Sequence, residues 1–308
     1  MWPDCGRWPA RAPSPESGRH VLWLVLALIS AASIATVDAL TKRFFSHLTV
    51  FEMAAARLSF SLPLFLILLF FIPVPHLDTT FYLTVFLALP LEITAFFLYM
   101  RAIQASPLSL AIPFLSFTPV FLILTGRLIL GEELSARGIL GIISVVLGSY
   151  VLNLRECKNG FLGPFGAIKR EKGSWLMLIV AFLYALTSAL GKKAIQHSSA
   201  IFFGPFYFLM LGLIVPGGLL VTGKATWQGL KKVFYPGLCI GILMVIMVLS
   251  HMAAISRVEA AYMIAVKRTG ILFSVLYGAF LFREENIGER FWGAVLMLAG
   301  VVIIAVWA

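Results

Sequence analysis

Lys267 and Arg268 are adjacent cations inside an apolar run that extends from about residue 258 to residue 282. They lie nine and ten residues into that run, which at 1.5 Å per residue is about 14 Å down a membrane-spanning helix. A charge near the bilayer centre costs about 2.5–3.5 kcal/mol on insertion scales, and such residues face a cavity or a partner. Adjacent helical residues point about 100° apart, so one cation can face a cavity while the other braces a neighbouring helix. The pair suits an anion site; helix-packing ion pairs are the structural alternative. Glu92, in Pro90-Leu91-Glu92-Ile93, reaches a similar depth in the run 81–102. It is suited to be the counter-ion of Lys267 or Arg268, or a protonatable coupling group. Pairing Glu92 with one cation leaves the other alone in a low-dielectric site, a cost that a substrate anion would relieve. Tyr99, Tyr184 and Tyr262 are polar-tipped aromatics in the third, sixth and ninth apolar runs, and complete the candidate substrate contacts. Asp38 and Lys42 are four apart, which predicts a local pair at the membrane edge. His20, His47, His76, His197 and His251 fall at helix ends or loops without metal spacing and are assigned no role. Cys5, Cys157 and Cys239 share no metal or redox spacing, and no Gly-x4-Gly-Lys-Ser/Thr pattern is present, so no metal, cofactor or ATP hydrolysis is expected.

The elements that hold these residues are set by composition. The chain has 308 residues, of which 60% are hydrophobic and 12% charged. Soluble domains run at roughly 45–50% and 25%. So much apolar surface cannot be hidden in a soluble core of this length, and the chain reads as an all-α polytopic membrane protein. Its net charge of +10 is loop and interface charge rather than a nucleic-acid footprint. Ten runs are long enough to span: 21–41, 50–72, 81–102, 107–130, 136–153, 174–194, 201–222, 233–255, 258–282 and 287–307. Residues 1–19 hold four prolines and three arginines and read as a disordered tail. The basic, Gly-rich stretch 154–173 reads as a linker between a first unit, 20–153, and a second, 174–308.

Those two units are copies. Shifted by 152 positions, Ala102–Leu152 lies without a gap on Ala254–Ile304, with the pattern Gly-x5-Glu-Glu-x7-Gly-x6-Gly in register twice (Gly126, Glu132, Glu133, Gly141, Gly148 and Gly278, Glu284, Glu285, Gly293, Gly300). At a shift of 150, Ala39-Leu40-Thr41-Lys42-Arg43 meets Ala189-Leu190-Gly191-Lys192-Lys193, and His47 meets His197. The first run is therefore a retained helix and not a cleaved signal. Five spans per unit is an odd number, so the second unit enters the membrane from the opposite side. The expected fold is ten transmembrane helices as two inverted five-helix repeats, an arrangement typical of secondary transporters. Glycines seven apart lie on nearly one helix face and admit close helix packing. Ten spans put both termini on one side. Eight Lys/Arg would lie there against thirteen on the other, so the positive-inside rule favours external termini.

With ten helices, a five-plus-five repeat and a Gly-Glu-Glu turn after the fourth span, the chain resembles the EamA-like branch of the drug/metabolite transporter superfamily. The resemblance rests on Pro119, Leu130-Gly131-Glu132-Glu133-Leu134-Ser135, Gly141, Arg57, Glu284 and Gly293, and covers about residues 20–308. It implies a transporter of the cell (inner) membrane with cytoplasmic termini, against the charge count. It also implies that the third, sixth and ninth spans line a central cavity, and that Arg57 is structural. Ile271 stands where the first copy has Pro119, which predicts halves that do not bend alike. Val266-Lys267-Arg268 further resembles the ninth helix of plastid triose-phosphate translocators, where such a pair binds phosphate. Those proteins carry another lysine where this chain has Leu115, which argues against phosphate itself. The expected function is secondary-active transport of a small anionic or zwitterionic metabolite by alternating access. Its partners would be the lipid bilayer and a proton or counter-substrate, with no nucleic acid. The alternatives are an exporter of cationic drugs or metabolites using Glu92, a membrane-embedded enzyme and a scaffold subunit.

Overall fold

The computed structural model describes residues 16–106, 112–152, 172–282 and 291–307. Most of the expected tail and linker, with Glu284 and Glu285, lies outside them. All regular structure in the described residues is helical. In chain order it comprises α1 (Glu16–Phe45), α2 (Val50–Ser59), α3 (Leu62–Phe71), α4 (Thr79–Ala105), a 3-10 turn (Ile112–Phe117), α5 (Thr118–Leu130), α6 (Ala136–Leu152), α7 (Lys172–Gln196) and α8 (Ala200–Val221). The remainder is α9 (Trp227–Lys232), α10 (Phe234–Ile255), α11 (Ala260–Lys267), α12 (Gly270–Phe282) and α13 (Phe291–Trp307). Helix α1 starts at Glu16, inside the stretch expected to be tail.

Six segments are long and apolar enough to cross a membrane: Val21–Phe45, Val50–Phe71, Thr79–Ala105, Gly173–Gln196, Ala200–Val221 and Phe234–Ile255. Phe114–Leu130, Ala136–Leu152 and Trp292–Trp307 are shorter apolar helices. Large apolar side chains such as Phe70, Phe86, Val221 and Tyr235 point outward. In lipid that outer surface carries no desolvation cost.

Three expected spans are interrupted, each for a local reason. Pro63 sits in the first turn of α3 and Pro119 in the first turn of α5, where a missing N–H needs no intrahelical partner. The span 258–282 breaks at Arg268-Thr269, between α11 and α12. The break falls at the same place in both halves, since α5 begins at Thr118 and α12 at Gly270, equivalent positions under the 152-residue shift, although a 3-10 turn precedes the first and the α-helix α11 the second. Where the first half uses proline, the second uses close packing. A Cβ on Gly270 would lie 2.9 Å from the Ala31 carbonyl oxygen, so the α1 backbone approaches this break directly.

Helix pairing is unchanged when the halves are exchanged. Helix α1 packs on α10 and α4 on α7, which are equivalent pairs; α2 packs on α8 and α6 on α13, each a helix against its own counterpart, and α5 packs on α11. Helices α6 and α13 meet along their glycines. A Cβ on Gly141 would lie 3.0 Å from the Gly300 oxygen, and one on Gly148 would lie 2.7 Å from the Gly293 oxygen. As residue number rises along α6 it falls along α13, so these two copies of one sequence run antiparallel. Midway, the Ser144 hydroxyl donates to the carbonyl of Leu296, its own counterpart, at 3.1 Å.

Helix starts fix the register of the other shared segment. Thr49 caps α2, with Glu52 completing a reciprocal capping box, and Ser199 caps α8 in the same way through its hydroxyl. Those caps are 150 residues apart, so Arg57 on α2 and Tyr207 on α8 occupy equivalent places.

Candidate functional site

A cavity of about 180 Å³ lies between the halves. Of the six candidate residues, Lys267, Arg268, Glu92, Tyr99 and Tyr184 line it. Tyr262 does not. Its ring packs on Gly138 and its hydroxyl accepts the Ser135 backbone N–H at 2.9 Å, which fastens the start of α11 to the turn before α6.

The cavity wall is built from equivalent positions of the two copies. At the 150-residue shift, Asp38 corresponds to Ser188 and Arg57 to Tyr207. At the 152-residue shift, Glu92 corresponds to Met244, Tyr99 to His251 and Leu115 to Lys267. All ten line the cavity. The chemistry at equivalent places differs, and that difference gives the site its polarity.

On the first-half side, Asp38 is buried and accepts from Arg57 Nη1 at 2.8 Å and from the Tyr99 hydroxyl at 2.6 Å. The Arg57 guanidinium also lies 5.5 Å from the Tyr99 ring centroid. A buried carboxylate thus has one counter-charge and one neutral donor, the combination that makes burial tolerable. The local Asp38–Lys42 pair expected from spacing is replaced by this triad, because Arg57 and Tyr99 reach Asp38 from α2 and α4. Lys42 Nζ instead donates to the Ile103 carbonyl at 2.8 Å.

On the second-half side, Lys267 Nζ lies 3.1 Å from His251 Nδ1 and 3.5 Å from Met247 Sδ. Arg268 Nη2 donates to the Thr118 hydroxyl at 2.8 Å, while its Nε has no hydrogen-bond partner among the described residues. Among the described residues Glu92 forms no ion pair with either cation; its near neighbour is the Thr187 hydroxyl. The simple pairing of Glu92 with one of the two cations is therefore not the arrangement found. The break after Lys267 turns the cations toward α10 and α5 instead of α4.

Charge bookkeeping at the wall is short. Asp38 and Arg57 cancel. Lys192, which also lines the cavity, is neutralised by Glu132. Glu92, Lys267 and Arg268 remain, one negative and two positive groups facing the same space.

Glu132, in the Gly-Glu-Glu turn, does more than neutralise Lys192. Gly131 ends α5 with φ +70°, a left-handed cap that turns the chain so the carboxylate enters the protein. Its two oxygens accept the Ala260 N–H at 3.2 and 3.0 Å, at the start of α11. Lys192 also donates to the Val258 carbonyl at 2.6 Å. One carboxylate therefore joins α5, α7 and α11, and suits a helix N-terminus electrostatically.

Reading along the sequence missed His251, Asp38, Ser188 and Tyr207. The signal that finds them is the repeat itself: applying the two shifts to Tyr99 and Arg57 reaches His251 and Tyr207 directly.

Residues 21–154 and 171–306 match the EamA-like transporter family, one match per half. An uncharacterized transporter of Methanothermobacter thermautotrophicus is 26% identical over 189 residues, covering 60% of this chain and 53% of that protein. The matched segment thus spans about half the length of that relative. A solved crystal structure superposes with a TM-score of 0.67 at 13% identity, covering 94% of this chain and 99% of the other, which shows a common fold. The duplicated sequence, the apolar helices and the two family matches converge: the chain is an integral membrane protein and belongs to the EamA-like transporter family.

Proposed function

We propose that this protein is a secondary-active transporter of a small anionic or zwitterionic metabolite. It works by alternating access between two inverted halves that together cross the membrane ten times and leave both termini on one side. The antiparallel packing of α6 on α13 supports inversion, because those helices are copies of one sequence. The observation that carries the substrate class is the cavity wall itself, with Lys267 and Arg268 against a single Glu92 once internal pairs are removed. A monoanion balances that charge. A zwitterion places its carboxylate at the cations and its ammonium at Glu92.

The test is uptake by proteoliposomes loaded with one candidate solute and given labelled external solute, screening amino acids, organic acids and sugar phosphates. Lys267→Ala and Arg268→Ala should keep the wild-type melting temperature, since neither strands a buried carboxylate, and should lose most uptake. Undiminished uptake in both variants would end the anion-site reading. Flux that requires Glu92 but neither cation would support export of cationic solutes instead.

A further inference from the structure

We infer that the substrate's carboxylate occupies a subsite formed by Ser188, Tyr207 and Lys267, the second-half counterpart of the place where the first half keeps Asp38. This inference rests on the transporter reading above and names the chemical group the site recognises.

The argument begins with what duplication leaves unequal. In the first half three positions form a closed set: the Asp38 carboxylate accepts from Arg57 at 2.8 Å and from Tyr99 at 2.6 Å. Their counterparts are Ser188, Tyr207 and His251, and all three line the cavity. The two donors that hold Asp38 are thus represented by a phenol and an imidazole, while the acid is replaced by a shorter, neutral hydroxyl. The second set has kept polar partners and lost the anion between them.

The consequence is visible in the hydrogen bonding. The Tyr207 hydroxyl is buried and, among the described residues, has no hydrogen-bond partner. An unmet buried hydroxyl is costly, and one at a cavity wall is a ready donor to an incoming acceptor. The second half also carries a charge with no first-half equivalent: Lys267 stands where the first half has Leu115. Its ammonium lies 3.1 Å from His251 Nδ1, beside the position that corresponds to the Tyr99 donor. The first half therefore holds a carboxylate beside a cation and a phenol. The second half holds a cation and a phenol, with a neutral serine where that carboxylate stands.

A carboxylate fits better than a phosphate on two counts. The equivalent place already shows how a planar two-oxygen acceptor is held, with one oxygen to a cation and one to a phenol. The wall's excess of one positive charge matches a monoanion, whereas a phosphate dianion exceeds it. Arg268 Nε, buried without a hydrogen-bond partner among the described residues, is a further donor on the same wall.

The experiment measures melting of the purified full-length protein in detergent with matched acid and amide pairs: acetate and acetamide, succinate and succinamide, 3-phenylpropionate and 3-phenylpropionamide, leucine and leucinamide. Inorganic phosphate is run beside them. At least one acid should raise the melting temperature where its amide does not, because a ligand that binds only the folded state stabilises it by mass action. Ser188→Asp supplies the missing acid from the chain itself. It should fold with an equal or higher melting temperature and lose the response to that acid, whereas Ser188→Ala keeps it. Tyr207→Phe should raise the half-saturating acid concentration at least about tenfold, and reports independently if Ser188→Asp does not fold. The assignment is overturned if no acid outperforms its amide, if phosphate alone stabilises, or if Ser188→Asp or Tyr207→Phe responds like wild type. The two readings fail separately. Flux of a solute without acid-over-amide preference removes this subsite and leaves a transporter; acid-specific stabilisation without flux of any solute removes transport and leaves the subsite.

Discussion

Replacing Gly148 by alanine adds one methyl group at one of the two tightest points of the α6–α13 contact. The new carbon would lie 2.5 Å from the Met297 nitrogen, 2.6 Å from Met297 Cγ and 2.7 Å from the Gly293 oxygen. Two of those three atoms are backbone, so no rotamer change relieves the clash and the helices must separate by roughly 1 Å to restore normal carbon contacts of about 3.5–4.0 Å. Overpacking of this kind costs about 1–3 kcal/mol, and the backbone contacts place this site at the upper end. Alanine's better helix propensity returns up to about 1 kcal/mol. A net loss of about 2 kcal/mol is expected, which for domains of about 150–250 residues lowers a melting temperature by roughly 4–8 °C. Gly217 in α8 is the control, since a Cβ there meets nothing within 4 Å; Gly217→Ala should melt at or slightly above wild type. Gly148→Ala combined with Gly293→Ala should cost less than the sum, because helices parted by one methyl already admit the second. Melting of the wild type, the single variants Gly148→Ala, Gly293→Ala and Gly217→Ala, and the double variant in one detergent decides the matter. Equal melting temperatures for Gly148→Ala and Gly217→Ala would refute close packing at this seam.

Glu132→Ala strips Lys192 of its counter-ion with both side chains largely buried and should cost about 3 kcal/mol or more in a melting assay. Glu132→Gln should lose less, because its carbonyl still accepts from Ala260. Asp38→Asn leaves the buried Arg57 guanidinium without a counter-charge and should lower folded yield sharply; Asp38→Asn with Arg57→Gln should recover part of it, read by size-exclusion chromatography. Asp78, at the start of α4, accepts the Phe81 N–H at 2.8 Å and lies 2.7 Å from His197 Nδ1, and these contacts hold its carboxyl below the usual carboxylate range. A depressed folded value means its contribution is complete above the unfolded pKa of about 3.9 and fades as pH falls through the lower folded value. Asp78→Asn should flatten that acid limb of the melting profile and lower the neutral plateau slightly, because asparagine keeps an acceptor for the Phe81 N–H but loses the charge beside His197.

That Lys267, Arg268 and Glu92 belong to an interior wall was legible because a charge in an apolar run is conspicuous whatever the fold. Their partners were not. Spacing offered Asp38 a local mate in Lys42, but a buried carboxylate is settled by whichever donors the fold delivers, and those came from 19 and 61 residues away. Tyr262 illustrates a different limit. Tyr262 and Lys267 both belong to the ninth apolar run and to α11, but they stand five residues apart, about 140° around the helix, so Lys267 lines the cavity while Tyr262 turns away and packs on Gly138. His251 read as a helix-end residue and is one, four residues before the end of α10, yet that end faces the cavity. The repeat was the most informative feature throughout, since it carried both the helix breaks and the pairing of cavity positions.

The glycine seam has a further meaning. Gly141 faces Gly300 and Gly148 faces Gly293, while the sequence equates Gly141 with Gly293 and Gly148 with Gly300. Residue i thus touches the counterpart of j, and j touches the counterpart of i, which defines an isologous interface between identical subunits. Two separate copies of a half-length chain, inserted in opposite senses, would meet on this same surface. The covalent link makes that encounter intramolecular, and an interface that a dimer would populate according to its concentration in the bilayer is present at a fixed effective concentration in every molecule. It also releases the two halves from identity. A homodimer must carry any buried acid twice, whereas the fused chain can keep Asp38 on one side of the axis and Ser188 on the other.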